Sequence, residues 1–198
     1  MKRIRLSQKN RPIGVTVAAG LQLLIAATFV ICGVVAFGWG GDANAAARAE
    51  VARQGFPVGV LANNHINFGE GVMELVLPVA IALGITVLAL LNLAGNRVGR
   101  ILTWVLQPML FVAGGFIISH QIFATHFIEQ SFSSSGNPTL QHIDVSAFVD
   151  AAVNAYPPGF LYVDYSRFGL VVLGSLVIIV LLAIPAANAY FRKAAQRR

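Results

Sequence analysis

The residues of this chain with the widest chemical range are four histidines, His65, His120, His126 and His142, and the carboxylates around them. Histidine titrates near neutral pH and is the commonest metal ligand. A zinc site needs three or four ligands at workable spacing. His126 and Glu129 are three residues apart and can share a helix face, and His65 and His142 could join them from other segments. An envelope-facing metal enzyme built on these four residues is therefore one hypothesis. Nothing in their spacing gathers them, and the favoured reading is surface or interfacial histidines with ordinary hydrogen bonds. Haem would need two axial ligands facing each other inside a bundle, yet only His120 lies well within an apolar run. The one cysteine, Cys32, rules out an internal disulfide and reads as a small apolar core residue. The chain carries no GxSxG, HExxH, P-loop or Gly-rich dinucleotide fingerprint. The expectation is a non-enzyme with no cofactor and no metal.

A second group of candidates is defined by polarity inside apolar surroundings. Glu74 lies one turn inside the second apolar run. Ionisable residues within a membrane are functional hypotheses by default, although an acid in the first turn also complements the helix dipole. Glu70 and Glu74 are four apart and are expected on one helix face, suited to a partner arginine or a cation. With His120 and Gln121 they form the set of candidate partner or path residues.

The elements that must position these groups follow from composition. Apolar residues make up 57% of the 198 and charged residues 11%, against about 25% charged in soluble domains. Four runs, at about 13–38, 71–95, 101–127 and 168–190, reach the roughly 20 residues that a helix needs to cross the hydrocarbon core. Backbone groups in lipid must be paired internally, so each run is expected to be a helix. The fold expected is all-α, a single four-pass domain: a four-helix transmembrane bundle with two outward loops, each carrying a short helix. Lys2, Arg3, Arg5, Lys9 and Arg11 resemble the n-region of a signal peptide, with Ala43-Asn44-Ala45 as a cleavage mimic. The run that follows is far longer than the roughly 7–15 residues of an h-region, so a retained helix is expected.

Charge sets the expected orientation. Eleven of the 14 Lys and Arg residues lie in the two terminal segments and in the turn at 96–100, where no acid occurs. The positive-inside rule places these segments in the cytoplasm and the loops at about 39–70 and 128–167 outside. The net charge of +6 thus reports topology, and no nucleic-acid partner is expected. Eleven arginines against three lysines, with abundant alanine, fit a GC-rich genome, so the expected setting is the cytoplasmic membrane of a bacterium such as an actinobacterium.

In the first outer loop, Gly40-Gly41 is expected to break the first helix, and Asp42 to cap a short helix running to about Gln54. In the second, Asp144 is expected to cap a helix whose apolar stripe is Val145, Phe148, Val149, Ala152 and Tyr156. Pro157-Pro158-Gly159 ends it. Such a helix can lie in the headgroup layer, pack on the first outer loop, or dock a partner. Phe160, Tyr162, Tyr165 and Phe168 then form an interfacial aromatic belt. Deeper polar residues, among them Gln22, Asn92, Gln107 and Ser175, are expected to hydrogen-bond between helices, and Pro78 and Pro108 to kink theirs.

The layout resembles claudin-like tetraspan proteins. Phe37-Gly38-Trp39-Gly40-Gly41 stands where claudins carry an aromatic–Gly stretch after the first helix, and the claudin loop's cysteine pair is absent. Small tetraspan subunits of this kind accompany actinobacterial lipid-import complexes of the mammalian-cell-entry (Mce) type. The resemblance implies a non-catalytic accessory subunit of a larger membrane complex that handles lipids or envelope components. The alternative is a stand-alone small transporter or lipid-binding protein with Glu74, His120 and Gln121 lining its path.

Overall fold

The structure, a computed structural model, describes residues 11–195, and every regular element among them is helical. Lys2, Arg3, Arg5, Lys9, Arg197 and Arg198 lie outside the described residues. Four helices are long and apolar enough to cross a membrane: α1 (Ile13–Arg53), α3 (Met73–Leu93), α4 (Arg97–Ile122) and α8 (Phe160–Ala183). The chain is a multi-pass membrane protein with an all-α four-helix architecture. Between the long helices lie α2 (Gly59–Asn63), α5 (Ala124–Ser134), α6 (Pro138–Gln141) and α7 (Val145–Asn154), and α9 (Pro185–Ala195) follows α8.

The first helix corrects the expectation of a break. It runs unbroken through Gly40-Gly41 for 41 residues, and Asp42 caps nothing. At about 1.5 Å per residue it is about 60 Å long, twice the hydrocarbon thickness. The propensity cost of two glycines, about 1 kcal/mol each, is outweighed by packing beyond them, where Ala43, Ala47 and Val51 are fully buried. Gly40 itself is required by a close approach, because a β-carbon there would overlap the Gly69 carbonyl. The first loop's short helix is therefore α2, not a segment from 42 to 54.

The upper part of α1 is the post of a head domain. Helix α7 packs along it and buries Val145, Phe148, Val149 and Ala152, with Leu61, Phe132, Leu140 and Ile143 completing a separate core. Of the three uses open to the α7 stripe, packing on the first-loop segment is the one observed. Asp144 caps α7 as expected, its Oδ1 accepting from the Ala147 amide at 3.0 Å and from the Ser146 hydroxyl at 2.8 Å. These bonds, the serine's foremost, hold its carboxyl below the usual range. The Gln54 side chain both donates to the Asp144 carbonyl (3.1 Å) and accepts from its amide (2.9 Å), tying α1's end to α7's start. Tyr156 lies two residues past α7 and donates to the Phe68 carbonyl at 2.5 Å; burial pushes its hydroxyl up to about 12.

In the bundle, α3 packs on α1, and α8 packs on α1 and α4. Pro78 has no N–H to give the Glu74 carbonyl, and this part of α3 lies against Gly33. A β-carbon at 33 would sit 3.1 Å from Pro78 Cβ and 3.2 Å from the Glu74 oxygen. Both α4 and α8 contain a π-helical turn, Leu110–Gly114 and Leu170–Gly174, and the two turns pack together. The first follows Pro108, whose ring disrupts the i→i−4 ladder. The fourth span starts at Phe160 rather than 168 and ends at Ala183, where Ile184 turns extended before Pro185. The third starts at Arg97, capped by the Asn96 side chain, and ends before Phe123 rather than at 127.

Polar side chains clamp the bundle near its basic end. Asn92 Nδ2 donates to Gln22 Oε1 (3.1 Å) and Thr103 Oγ1 (2.9 Å), and Gln22 Nε2 also reaches Thr103 (3.4 Å). Higher up, Gln107 donates to Ser175 Oγ at 2.8 Å. All five are buried; Gln22, Asn92, Gln107 and Ser175 bond between helices as the sequence pattern implied, Thr103 joins them unpredicted, and Thr28, Thr86 and Ser119 bond to carbonyls of their own helices.

Candidate functional site

Helices α3 and α4 meet at the basic end, where Gly99 lies against Leu91, and part toward the head. Between them opens a crevice of about 580 Å³, a usual size for a small-ligand site. Glu74 and Pro78 of α3 line one side, and Phe116, Ile117, His120 and Gln121 of α4 the other. Cys32 and Gly33 of α1 and Asp164 and Arg167 of α8 contribute further lining. The head closes it with Ile66, Phe68, Val149, Val153 and Tyr156.

Counting about 20 residues from the basic end of each span gives Cys32, Glu74, Ile117 and Asp164. All four line the crevice, so it sits at the edge of the hydrocarbon core on the head side.

Its polar groups differ in how they are satisfied. Arg167 is ion-paired to Asp164 at 2.7 Å, one helical turn away, and the side chains are only 8% and 14% exposed. Arg167 also donates to Gln121 Oε1 at 2.6 Å and stands 5.8 Å from the Phe29 ring centroid. The Cys32 thiol points to Asp164 Oδ1 at 3.7 Å. An ion pair buried at this depth is costly unless it neutralises itself and fills its hydrogen bonds. This one ties α8 to α4 and α1. His120 is held between aromatic rings, stacked on Phe127 (3.8 Å between centroids) and tilted to Phe116 (4.2 Å). Its Nδ1 meets the Phe116 carbonyl at 2.9 Å. Facing a carbonyl oxygen, Nδ1 donates in that contact, and Nε2 is the ring nitrogen left for another partner. Glu74 has no ion-pair partner among the described residues.

The structure thus brings Glu74, His120 and Gln121 into one site and excludes Glu70. Helix α3 begins only at Met73, because Gly71 adopts φ +129, and Glu70 and Glu74 do not share a helix face. Glu70 pairs instead with Arg48 on α1 at 3.2 Å. His65 also lines the crevice, from a turn where it adopts φ +56. Among the described residues no three His, Cys, Asp or Glu side chains are placed to hold a metal, so His65, His126, Glu129 and His142 do not gather. Comparison with protein-family models, curated proteins and solved structures finds no match. The assignment therefore rests on geometry.

Sequence reasoning read Cys32 as a small apolar core residue, buried as it is here, and did not single out Asp164 and Arg167. The usable signal was their setting: an acid and a base at i, i+3 inside an aromatic stretch continuous with the fourth apolar run. Apolar walls, a buried ion pair and an unpaired carboxylate suit reversible binding of a molecule with an apolar body and a polar end.

Proposed function

We propose that the protein is a non-catalytic accessory subunit that holds one amphiphile, taken from the head-side leaflet, for a larger membrane complex. The observation that carries this reading is the crevice itself: an apolar cleft of about 580 Å³ with polar groups at the depth where lipid headgroups begin. The Glu74 carboxylate, with no ion-pair partner among the described residues, favours a headgroup with a hydrogen-bond donor or positive charge. Below the crevice the bundle interior is filled by Ile25, Phe29, Ile118, Val171 and Ile178. A holder without a path of its own needs a partner to pass the ligand on, which favours a subunit over a stand-alone transporter. A lipid or envelope transporter of the mammalian-cell-entry type fits that role. The charge distribution supports both termini in the cytoplasm and the head outside, and the arginine- and alanine-rich composition supports the cytoplasmic membrane of a bacterium.

Native mass spectrometry of the protein from gentle detergent tests the holding step. One tightly retained amphiphile is expected, and Ile117→Trp, which fills the crevice from an exposed position, should remove it without lowering the melting temperature. Equal retention by the variant, or none by the wild type, would overturn the reading. The same purification should carry a stoichiometric larger partner; a lone monomer with intrinsic transport activity would exclude the subunit role.

A further inference from the structure

The other end of the bundle carries a second site of opposite character. A depression of about 460 Å³ opens between the start of α4 and helix α9, lined by Arg97, Arg100, Asn188 and Arg192, with Pro185 and Phe191 among its apolar walls. Helix α9 is anchored there rather than dangling. Phe191 is buried, and the Tyr190 hydroxyl donates to the Leu93 carbonyl at 2.7 Å. The Arg100 guanidinium is fixed by three contacts: it donates to Asn188 Oδ1, lies 4.7 Å from the Trp104 ring centroid and lies 5.3 Å from that of Phe191. Asn188 is held in turn by its amide, which donates to the Ala183 carbonyl at 3.2 Å and closes the end of α8.

No acidic side chain balances these cations. All eight acidic residues of the sequence lie between positions 42 and 164. The structure puts those at 42, 50, 70, 74, 129, 144, 150 and 164 on the head or at the head end of a span. Three arginines are thus collected in one concavity, one of them held rigidly, where the spans end and headgroups begin. The N-terminus of α4, capped by the neutral Asn96 side chain, adds its partial positive charge. Arginine presents paired N–H groups that match phosphate oxygens.

We infer that this depression binds the phosphate of an anionic phospholipid in the leaflet at the basic end. Two phosphates on one headgroup match the three arginines best, so a diphosphatidyl lipid outcompetes a monophosphate one. Phe191 and Pro185 provide the wall against which its glycerol and first chain methylenes rest. The site is independent of the head-side crevice and needs nothing from it.

The test is lipid retention by the full-length protein in nanodiscs of phosphatidylcholine containing cardiolipin, phosphatidylglycerol or neither, read by native mass spectrometry after extraction. Cardiolipin should be enriched over its bulk fraction, phosphatidylglycerol less so, and phosphatidylcholine not at all. The double variant Arg97→Gln, Arg192→Gln removes two of the three cationic contacts and should cut cardiolipin retention about thirtyfold. Both positions are exposed, and the melting temperature in phosphatidylcholine should not change. Equal retention of all three lipids, or unchanged cardiolipin in the double variant, would overturn the proposal. Displacement of cardiolipin by millimolar inorganic phosphate would also overturn it, by showing a site for free phosphate.

Discussion

Two hydrophobic cores of this molecule are built from the same residue types and held by different forces. The head core buries Leu61, Phe132, Phe148 and Val149 against the upper half of α1, where water is the surrounding solvent. The bundle core buries Ile25, Phe29, Ile178 and Leu182, where the surrounding solvent is lipid. Burial in the head removes apolar surface from water, and the hydrophobic effect acts in full. Burial in the bundle exchanges lipid contacts for protein contacts, so association depends on fit and on polar bonds between helices. The polar side chains are distributed accordingly. The bundle core contains Gln22, Asn92, Thr103, Gln107 and Ser175 bonded to one another, while the head core uses Asn44 and Gln54 to fasten its loops to α1.

This contrast can be broken by one matched pair of substitutions. Leu61 is 1% exposed in the head and Leu182 is 0% exposed in the bundle. Leu61→Ala should destabilise the head by about 2–5 kcal/mol, read by hydrogen exchange of α7. Leu182→Ala should cost about 2 kcal/mol less in a membrane unfolding assay, because the water-transfer part, about 0.8 kcal/mol for each of three carbons, drops out. Equal costs would show that the two cores do not differ in kind. A smaller effect sharpens the other half of the comparison. Asn92→Ala should cost the bundle about 0.5–2 kcal/mol in the same assay and leave exchange in the head unchanged.

The smallest effect concerns pH and belongs to the head alone. Asp144 has its carboxyl held below the ordinary range by Ser146 and the Ala147 amide. A depressed folded-state value means that the stabilisation is complete above the unfolded carboxylate value, about 3.9, and is lost as pH falls through the lower, folded one. Protection of the α7 amides, with the intrinsic pH dependence of exchange divided out, should therefore fall in acid, and Asp144→Asn, which can still cap, should flatten that part of the response. An identical acid response in the variant would remove Asp144 from the account.

The sequence made legible whatever depended on local pattern. The four long helices follow from run length and hydropathy, and α7 follows from the Asp144 cap and its i, i+3, i+4 stripe. It did not make legible what depended on a distant partner. Gly40-Gly41 reads as a break, yet α1 stays helical there, with α7 packed along its upper part and the Gly69 carbonyl seated against Gly40. Asp164 and Arg167 read as loop charges, because each alone would be excluded from a span; paired, they enter it and lengthen α8 by eight residues toward the head. Glu74, His120 and Gln121 stood out singly by their polarity in apolar runs. Their meeting in one crevice follows from the divergence of α3 and α4, which no local pattern encodes.

The central claim is that an amphiphile occupies that crevice, and photocrosslinking in native membranes tests it most directly. A phospholipid with a diazirine near its glycerol, followed by peptide mapping, should mark Ile122, Phe127 and Gly33, which line the crevice. It should do so beyond what their limited exposure to bulk lipid would give. Adducts confined to the exposed girdle, at residues such as Leu83, Val87, Val105 and Val112, would contradict it.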